Sequence, residues 1–425
     1  MADDATTFSR DRTAGPGATP GADDEPAPGP EDYRAAFGEE LAEALNVDTW
    51  RAGRDLAEEY RRIEQEVAAA VAFETEQQRR IRAHVFPRLA WAPVAPPGAG
   101  VYPVRLEEVA EVQRRLLFPG GVEACDGTSH VHDSLAPTIH QVGVSLVSYR
   151  GDQGTWCQRL FRRDLRQSTG DPVEEVLDLL QRRGRRGGLS HPAPRDQLSE
   201  LAQRALMSYA ERAILLRKSR AAWRLGHGNP APLELFIAAG LPDLMIESVK
   251  VIRDLVTGHR KFVFVASEPR DRMLLTIGHA LRPLEYAVVG RLDELLERAL
   301  GELRFRGPVT VDATWDGRPL TPAQWVERFR DDVAARVVVG VYRATLLAPA
   351  QVFYAHADFA GDAARVALAD SVLQEQRGFP LLIDLADQVC RSVYGGGSLQ
   401  EMAQAAYAAA GAPFRYQSER ATRTP

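Results

Sequence analysis

The chain has 425 residues, 45% hydrophobic and 26% charged, with 52 Lys and Arg against 58 Asp and Glu for a formal charge of −6. That length allows two or three domains, and the composition excludes a disordered chain, a collagen and a small disulfide-stapled fold. Its three cysteines (Cys125, Cys157, Cys390) are too few and scattered for a disulfide framework or a cysteine-based zinc site, no apolar run reaches the ~18–20 residues of a membrane span, and the acidic start Met1-Ala2-Asp3-Asp4 lacks the apolar stretch of a signal peptide. A soluble, cytoplasmic protein with no membrane attachment is expected.

Residues 1–32 are poor in apolar side chains and rich in Pro, Gly, Ala and Asp, as in Glu25-Pro26-Ala27-Pro28-Gly29-Pro30. Such a segment cannot bury enough surface to offset its ordering entropy, so a disordered tail is predicted. A long helix is predicted over Val47–His84, because Leu56, Tyr60, Ile63, Val67 and Val71 recur at spacings of three and four. Pro87, Pro93, Pro96 and Pro97 end it, so residues 33–100 read as a helical extension and linker. A helix at Arg105–Leu116 then leads through Pro119-Gly120-Gly121 to a short strand, Val122–Cys125, after which Asp126-Gly127-Thr128 is read as a tight turn. Strands follow at Ile139–Tyr149 and Thr155–Phe161, joined by the hairpin signal Gly151-Asp152-Gln153-Gly154. Residues 158–226 form a basic helical insertion with helices at Val173–Arg183 and Gln197–Arg224 around the loop Gly184–Pro194.

Beyond a loop at His227–Pro232 comes a helix, Leu241–Val256, and then Lys261–Ala266, whose continuous apolar run reads as a buried strand. The alternation continues through Ala287–Gly290, a helix at Leu292–Leu303, Val309–Ala313, Val337–Val341 and Gln351–Tyr354. The end is helical, at Gly361–Gln376, Pro380–Val393 and Ser398–Ala409, before a flexible tail over 411–425. Hairpin strands followed by alternating helices and strands predict an α/β domain over 101–410, a mixed sheet with helices on its faces.

Four acidic positions stand out. Asp126 closes an apolar strand, where a rigid backbone can offer a carboxylate to Mg²⁺ or Mn²⁺, although Asp-Gly is also a common turn dipeptide. Glu247 lies on the amphipathic helix before the strand Lys261–Ala266, where a solvated carboxylate is the plain alternative and Asp243 and Glu234 compete with it. Glu268, in Ser267-Glu268-Pro269, follows that strand at the end where α/β sheets bind ligands, and the same residues also suit a helix start. Asp387 falls near the apolar stripe of Leu381, Ile383 and Leu385, so it needs a partner: a metal, or Arg391 four residues on. His130, His132 and Asp133 could assist Asp126. Phosphate-loop, dinucleotide-binding, serine-hydrolase and structural-zinc patterns are absent.

Residues Gln158–Arg224 carry a balance of +7 in this acidic chain, which suits a local anion-binding face. The positive residues fall in three groups: Arg159, Arg162, Arg163 and Arg166; Arg182, Arg183, Arg185 and Arg186; and Arg217, Lys218, Arg220 and Arg224. The last two groups are candidates for DNA phosphates, against the alternative of a solvated helix face with pairs such as those Glu211 can make.

Taken together these residues resemble the NurA nuclease family over about residues 104–410. The family's strand ending in Asp-Gly-Ser matches Asp126-Gly127-Thr128, its helix glutamate matches Glu247, its strand-end acid matches Glu268, and its Tyr-Pro-Tyr…Ala-His or Ala-Asp helix matches Phe379-Pro380-Leu381…Ala386-Asp387. Two departures are Phe379 in place of a tyrosine and Ser267-Glu268-Pro269 in place of Asp-Gly. The resemblance implies an RNase H-like α/β fold and a Mn²⁺- or Mg²⁺-dependent DNA exonuclease or endonuclease. Asp126, Glu247, Glu268 and Asp387 would be its metal ligands. It also implies a homodimer working with a hexameric HerA-type ATPase in DNA end processing or phage defence. The alternatives are a catalytically degenerate DNA-binding adaptor of a translocase complex, or another metal-dependent phosphoesterase on the same fold.

Overall fold

The computed structural model describes residues 29–38, 40–50, 56–93, 95–133, 138–160, 173–174, 177, 197–267, 271–294, 296, 305 and 308–414. The chain divides into two units, residues 1–73 and 74–425. In the first, a helix runs over Pro30–Phe37, with proline at its first turn and Gly38 closing it at φ 74°. Residues 30–32 therefore belong to a helix rather than to a disordered tail, and residues 1–28 lie outside the described set. The predicted long helix starts later than Val47: Val47–Thr49 is a single 3₁₀ turn, capped by the Asn46 side chain accepting from the Asp48 N–H, and the helix proper is Leu56–His84.

The second unit is built on a sheet with the order β1-β7-β10-β11-β6-β5-β2-β3-β4 among the described residues. Its strands are β1 (Gly100–Pro103), β2 (Val122–Asp133), β3 (Thr138–Ser148), β4 (Gly151–Leu160), β5 (Trp223–His227), β6 (Phe262–Ala266), β7 (Glu285–Arg291), β10 (Val337–Arg343) and β11 (Gln351–His356), while β8 (Thr314–Trp315) and β9 (Arg318–Pro319) pair separately. β2, β3 and β4 form an antiparallel meander, β5 and β6 add in parallel, and β11, β10, β7 and β1 continue antiparallel. Alternation along the strands feeds two cores. Cys125, Phe262 and Phe264 join one with Leu215, Met245 and Ile252 from the helices Gln197–Arg217 and Pro242–Arg253. Ala124, Val263 and Val265 join the other with Ala363, Leu368 and Leu382 from the helices Ala360–Ser371 and Leu381–Tyr394. This is the expected RNase H-like architecture, a large mixed sheet flanked by helices. No helix among the described residues is long and apolar enough to cross a membrane.

Three differences from the sequence expectation bear on function. First, β2 does not turn at Gly127; it stays paired with β3 from Ala124 to Asp133. Second, the helix predicted to reach Arg224 stops at Arg217. The Glu123 carboxylate accepts the Arg220 and Ala221 N–H groups at 2.9 and 3.4 Å, and Arg224 donates to the Leu216 carbonyl at 3.0 Å. These bonds redirect the chain into β5, so part of the supposed loop at His227–Pro232 is a strand end. Third, Val309–Ala313 is not a strand, because the Thr310 and Val311 N–H groups bond to the Asp243 carboxylate at 2.8 and 3.4 Å instead of to a neighbouring strand. The C-terminal tail also begins packed, with the Phe414 ring stacked 5.4 Å from that of His132. Most of the helices expected at Val173–Arg183 and Leu292–Leu303, and the whole loop Gly184–Pro194, lie outside the described residues.

Candidate active site

β2, β5 and β6 lie side by side and parallel. Cys125 of β2 pairs with Gly226 of β5, and His227 of β5 with Val265 of β6, so Asp126, where β2 loses its β5 partner but stays paired with β3, lies level with His227 and Ser267 at the ends of β5 and β6. Asp126 is buried, and its Oδ1 lies 3.3 Å from His227 Nδ1, while His227 Nε2 lies 3.0 Å from Ser267 Oγ. Burial alone would lower the His227 pKa, but the hydrogen bond and charge of Asp126, aided by Glu211, outweigh it and raise the value. The imidazole thus joins a carboxylate to an exposed hydroxyl, an arrangement that can hold a proton or orient a nucleophile. The Phe379 ring meets it edge-on at 5.6 Å, where the family resemblance expects a tyrosine.

Glu211 comes from the helix Gln197–Arg217 on one face of the sheet. It fits because residue 127 is glycine: a Cβ there would stand 2.7 Å from Glu211 Oε1. Gly127 therefore serves close approach of a helix to a strand, not a turn. Burial, then the charge of Asp126, push the Glu211 pKa well above the usual carboxylate range, against the opposing pull of Arg212. Arg212 is itself buried; it donates to Glu211 Oε2 at 2.7 Å and to the carbonyls of Ser208, Pro230 and Asn229 at 3.0, 3.0 and 2.5 Å. It ties the helix to the loop that follows β5.

Asp387 arrives from the other face, on the helix Leu381–Tyr394. That helix is fixed at both ends. Asp370 accepts the Leu382 N–H at 2.9 Å at the start, while at the end Gln141 donates to the Tyr394 carbonyl at 2.8 Å and the Tyr394 ring fills the space a Cβ at Gly143 would occupy. The Asp387 pKa is raised by burial and then by Asp126, although Arg391 lies 2.7 Å away and opposes the shift. Asp126 therefore bears on the proton affinity of both Glu211 and Asp387, which come from elements on opposite faces of the sheet.

Of the four acids singled out in the sequence, Asp126 and Asp387 are linked by charge: Asp126 raises the Asp387 proton affinity. Glu247 does not join them through any contact of its own: its carboxylate takes the Lys250 ammonium at 2.8 Å, on a helix that packs against other helices. Glu268 lies outside the described residues, as do Arg182, Arg183, Arg185 and Arg186, and Ser267 marks where Glu268 begins. Arg217 ends the helix Gln197–Arg217, and it, Lys218 and Arg220 are exposed on the side of the start of β5 rather than its end. His130 bonds to Thr128 Oγ1 at 3.0 Å, and the His132 ring packs against the Tyr407 and Phe414 rings, so these contacts direct neither imidazole at Asp126. The sequence reading missed Glu211 and His227. A helix glutamate followed by a strand with a polar end was the pattern sought, and it occurs one strand earlier than Glu247 and Glu268.

Among the described residues no three His, Cys, Asp or Glu side chains form a ready ligand group for a metal. The donor chemistry nevertheless suits a hard divalent cation: Glu211 and Asp387 are carboxylates whose proton affinity is raised by burial and by the charge of Asp126.

No family model and no curated protein matches this chain. Among solved structures it is similar to the NurA nuclease of Sulfolobus solfataricus, at 10% identity and a TM-score of 0.43, over 84% of this chain and 98% of that one. It is also similar to a NurA structure with manganese, at 10% identity and a TM-score of 0.35, over 80% and 98%. Endonuclease V of Bacillus subtilis is similar at 8% identity and a TM-score of 0.30, over 68% and 90%.

Proposed function

We propose that the chain is a divalent-metal-dependent deoxyribonuclease. The observation that supports this reading is that the charge of Asp126 raises the proton affinity of both Glu211 and Asp387, which are carried by helices on opposite faces of the sheet. Neighbouring carboxylates repel one another, and a Mn²⁺ or Mg²⁺ ion is a partner this donor set fits. Asp126, Glu211 and Asp387 would hold it, with Glu268 as a proposed addition from the end of β6; the helix-glutamate role first given to Glu247 passes to Glu211. The chemistry such an ion supplies is Lewis acidity toward a phosphodiester and neutralisation of charge on the departing oxygen. His227 would keep a proton near the reacting phosphate, its affinity set by Asp126. Arg217, Lys218 and Arg220, with Arg182, Arg183, Arg185 and Arg186, would contribute nonspecific DNA affinity. Homodimerisation and work with a HerA-type ATPase in end processing or phage defence belong to the same proposal, and rest on the family resemblance alone.

A second reading, a non-catalytic adaptor, is favoured by one observation: each carboxylate already has a cationic or imidazole partner, Arg212 for Glu211, Arg391 for Asp387 and His227 for Asp126. The Arg391 side chain is 68% exposed and free to leave Asp387, which favours the enzyme. A cleavage assay on end-labelled DNA, in Mn²⁺ against EDTA, decides between them. Metal-dependent cleavage that vanishes in a folded Asp126→Asn variant is the expected result. No cleavage by the wild type in either condition, with or without a cognate ATPase, would leave the adaptor.

A further inference from the structure

The two arginines that neutralise the acidic cluster are held very differently. Arg212, on Glu211, is buried and also donates to the carbonyls of Ser208, Pro230 and Asn229, so its departure would strand a buried charge and several buried acceptors. Arg391 has one ion pair among the described residues, from its Nε to Asp387 Oδ1 at 2.7 Å, and its side chain is 68% exposed. Its charge also reaches His130, whose proton affinity is lowered first by burial and then by Arg391. An imidazole so disfavoured from its charged form by a cation gives that cation no second anchor.

Asp387 cannot follow Arg391 outward. Its helix, Leu381–Tyr394, is tied at Leu382 by Asp370 and at Tyr394 by Gln141, and its side chain is only 25% exposed. The pair is therefore a fixed carboxylate and a mobile guanidinium. Arg391 is rooted one helical turn, about 6 Å, beyond Asp387, so it can leave the carboxylate and still reach its surroundings. A divalent ion taken up by Asp387 would set two further positive charges against the guanidinium on the same group, and like charges at such distances repel strongly. Arg212 has nowhere to go, and Arg391 does.

We propose that Arg391 is a displaceable counter-ion that couples metal uptake to DNA binding: it occupies Asp387 in the metal-free protein, and once a divalent ion takes that carboxylate it turns to a phosphate of the DNA backbone. This rests on the metal-dependent reading above and adds a regulatory contact to it. A guanidinium matches phosphate oxygens as well as it matches a carboxylate, so the same side chain serves both states. Metal and DNA then favour each other's binding, because each removes a competitor of the other, and such coupling is reciprocal. In the metal-free protein the Asp387 carboxylate and the DNA backbone compete for one cation.

Two titrations of the full-length protein test this, with wild type, Arg391→Gln and Arg391→Lys; the side chain is exposed, so the variants are expected to fold. In the first, Mn²⁺ is added without DNA and its uptake followed by calorimetry. Arg391→Gln should bind Mn²⁺ about two- to fivefold more tightly than wild type, the worth of one exposed ion pair that the metal no longer has to break. In the second, a labelled oligothymidylate with cleavage-resistant phosphorothioate linkages is titrated over a range of salt, in EDTA and in Mn²⁺. In EDTA wild type and Arg391→Gln should show the same dependence of log K on log[salt]. In Mn²⁺ the wild-type slope should be steeper than that of Arg391→Gln by about 0.7, one phosphate contact, and Arg391→Lys should restore it. Mn²⁺ affinity that is unchanged or weaker in Arg391→Gln overturns the proposal and leaves the metal reading standing. So does a slope difference that is absent in Mn²⁺, or equally large in EDTA. Wild type that takes up no Mn²⁺ overturns the metal reading, and this inference with it.

Discussion

β5 is five residues long, and its two ends are chemical opposites. At its C-terminal end, His227 is raised in pKa by Asp126 and Glu211; one strand over, at the start of β6, His259 is pushed down to about 4 by burial and by Arg224 and Lys261. Burial lowers the pKa of both imidazoles, so it cannot explain the opposite outcomes. The sign is set by which charges the strand ends collect: carboxylates from β2 and two flanking helices at one end, and cations from a helix terminus and a tight turn at the other. Only about 10 Å of strand separates Arg224 from His227. A short parallel strand with helices on both faces can therefore carry two opposite fields without either group neutralising the other.

The strongest test of the acidic end compares two glutamates. Glu211→Gln is expected to cost cleavage more than the roughly 100-fold typical of losing a residue that only orients a metal ligand. Glu247→Gln should cost less than about threefold, because surface ion pairs contribute little. The reverse ranking, read from initial rates on labelled DNA, would return the helix-glutamate role to Glu247.

The histidines give an intermediate effect with opposite signs. His227, raised in pKa, contributes stability that is fully present below its unfolded value and is lost as pH rises through the folded value. His259, lowered to about 4, contributes stability present above the unfolded value of ~6.5 and lost as pH falls toward 4. His259→Gln should therefore hold its melting temperature better than wild type between about pH 6.5 and 4. Parallel melting curves for the two proteins across that range would remove the contrast between the strand ends.

The smallest expected effect is at Ser267. If its hydroxyl only completes the hydrogen-bond chain from Asp126 through His227, Ser267→Ala should lower cleavage by no more than about tenfold, near the loss of one hydrogen bond. A loss greater than about 1000-fold, with covalent labelling by a serine-directed fluorophosphonate, would make Ser267 a nucleophile instead.

Some of this was legible in the sequence. The apolar run Lys261–Ala266 identifies a strand buried on both faces, and Asp387, too close to an apolar stripe to be simply solvated, is partly buried and takes Arg391 as its partner. β5 was hidden because Trp223-Arg224-Leu225-Gly226-His227 mixes a charge and a glycine into a five-residue run directly after a strong helical pattern. The side-chain bonds of Glu123 and Arg224 that end the helix are tertiary, and no local pattern announces them. With β5 hidden, a helix glutamate and a strand-end partner are legible one strand along, at Glu247 and Glu268. Gly127 was misread for a related reason. A glycine after an aspartate looks like a turn locally, and its actual use, admitting Glu211, depends on a helix more than 80 residues away.

The helix that carries Asp387 is clamped at Leu382 by Asp370 and at Tyr394 by Gln141 and the space above Gly143. These clamps act on the ends of the helix and not on Asp126 or Glu211, yet together they fix the helix that carries Asp387. Asp370 is fully buried, bonds to the Tyr149 hydroxyl at 2.5 Å, and is raised to about 6 by its burial. Inherited loss of function in this chain would thus be found at a glycine under a tyrosine and at a carboxylate in the core, positions that a map drawn around the reacting atoms would leave blank.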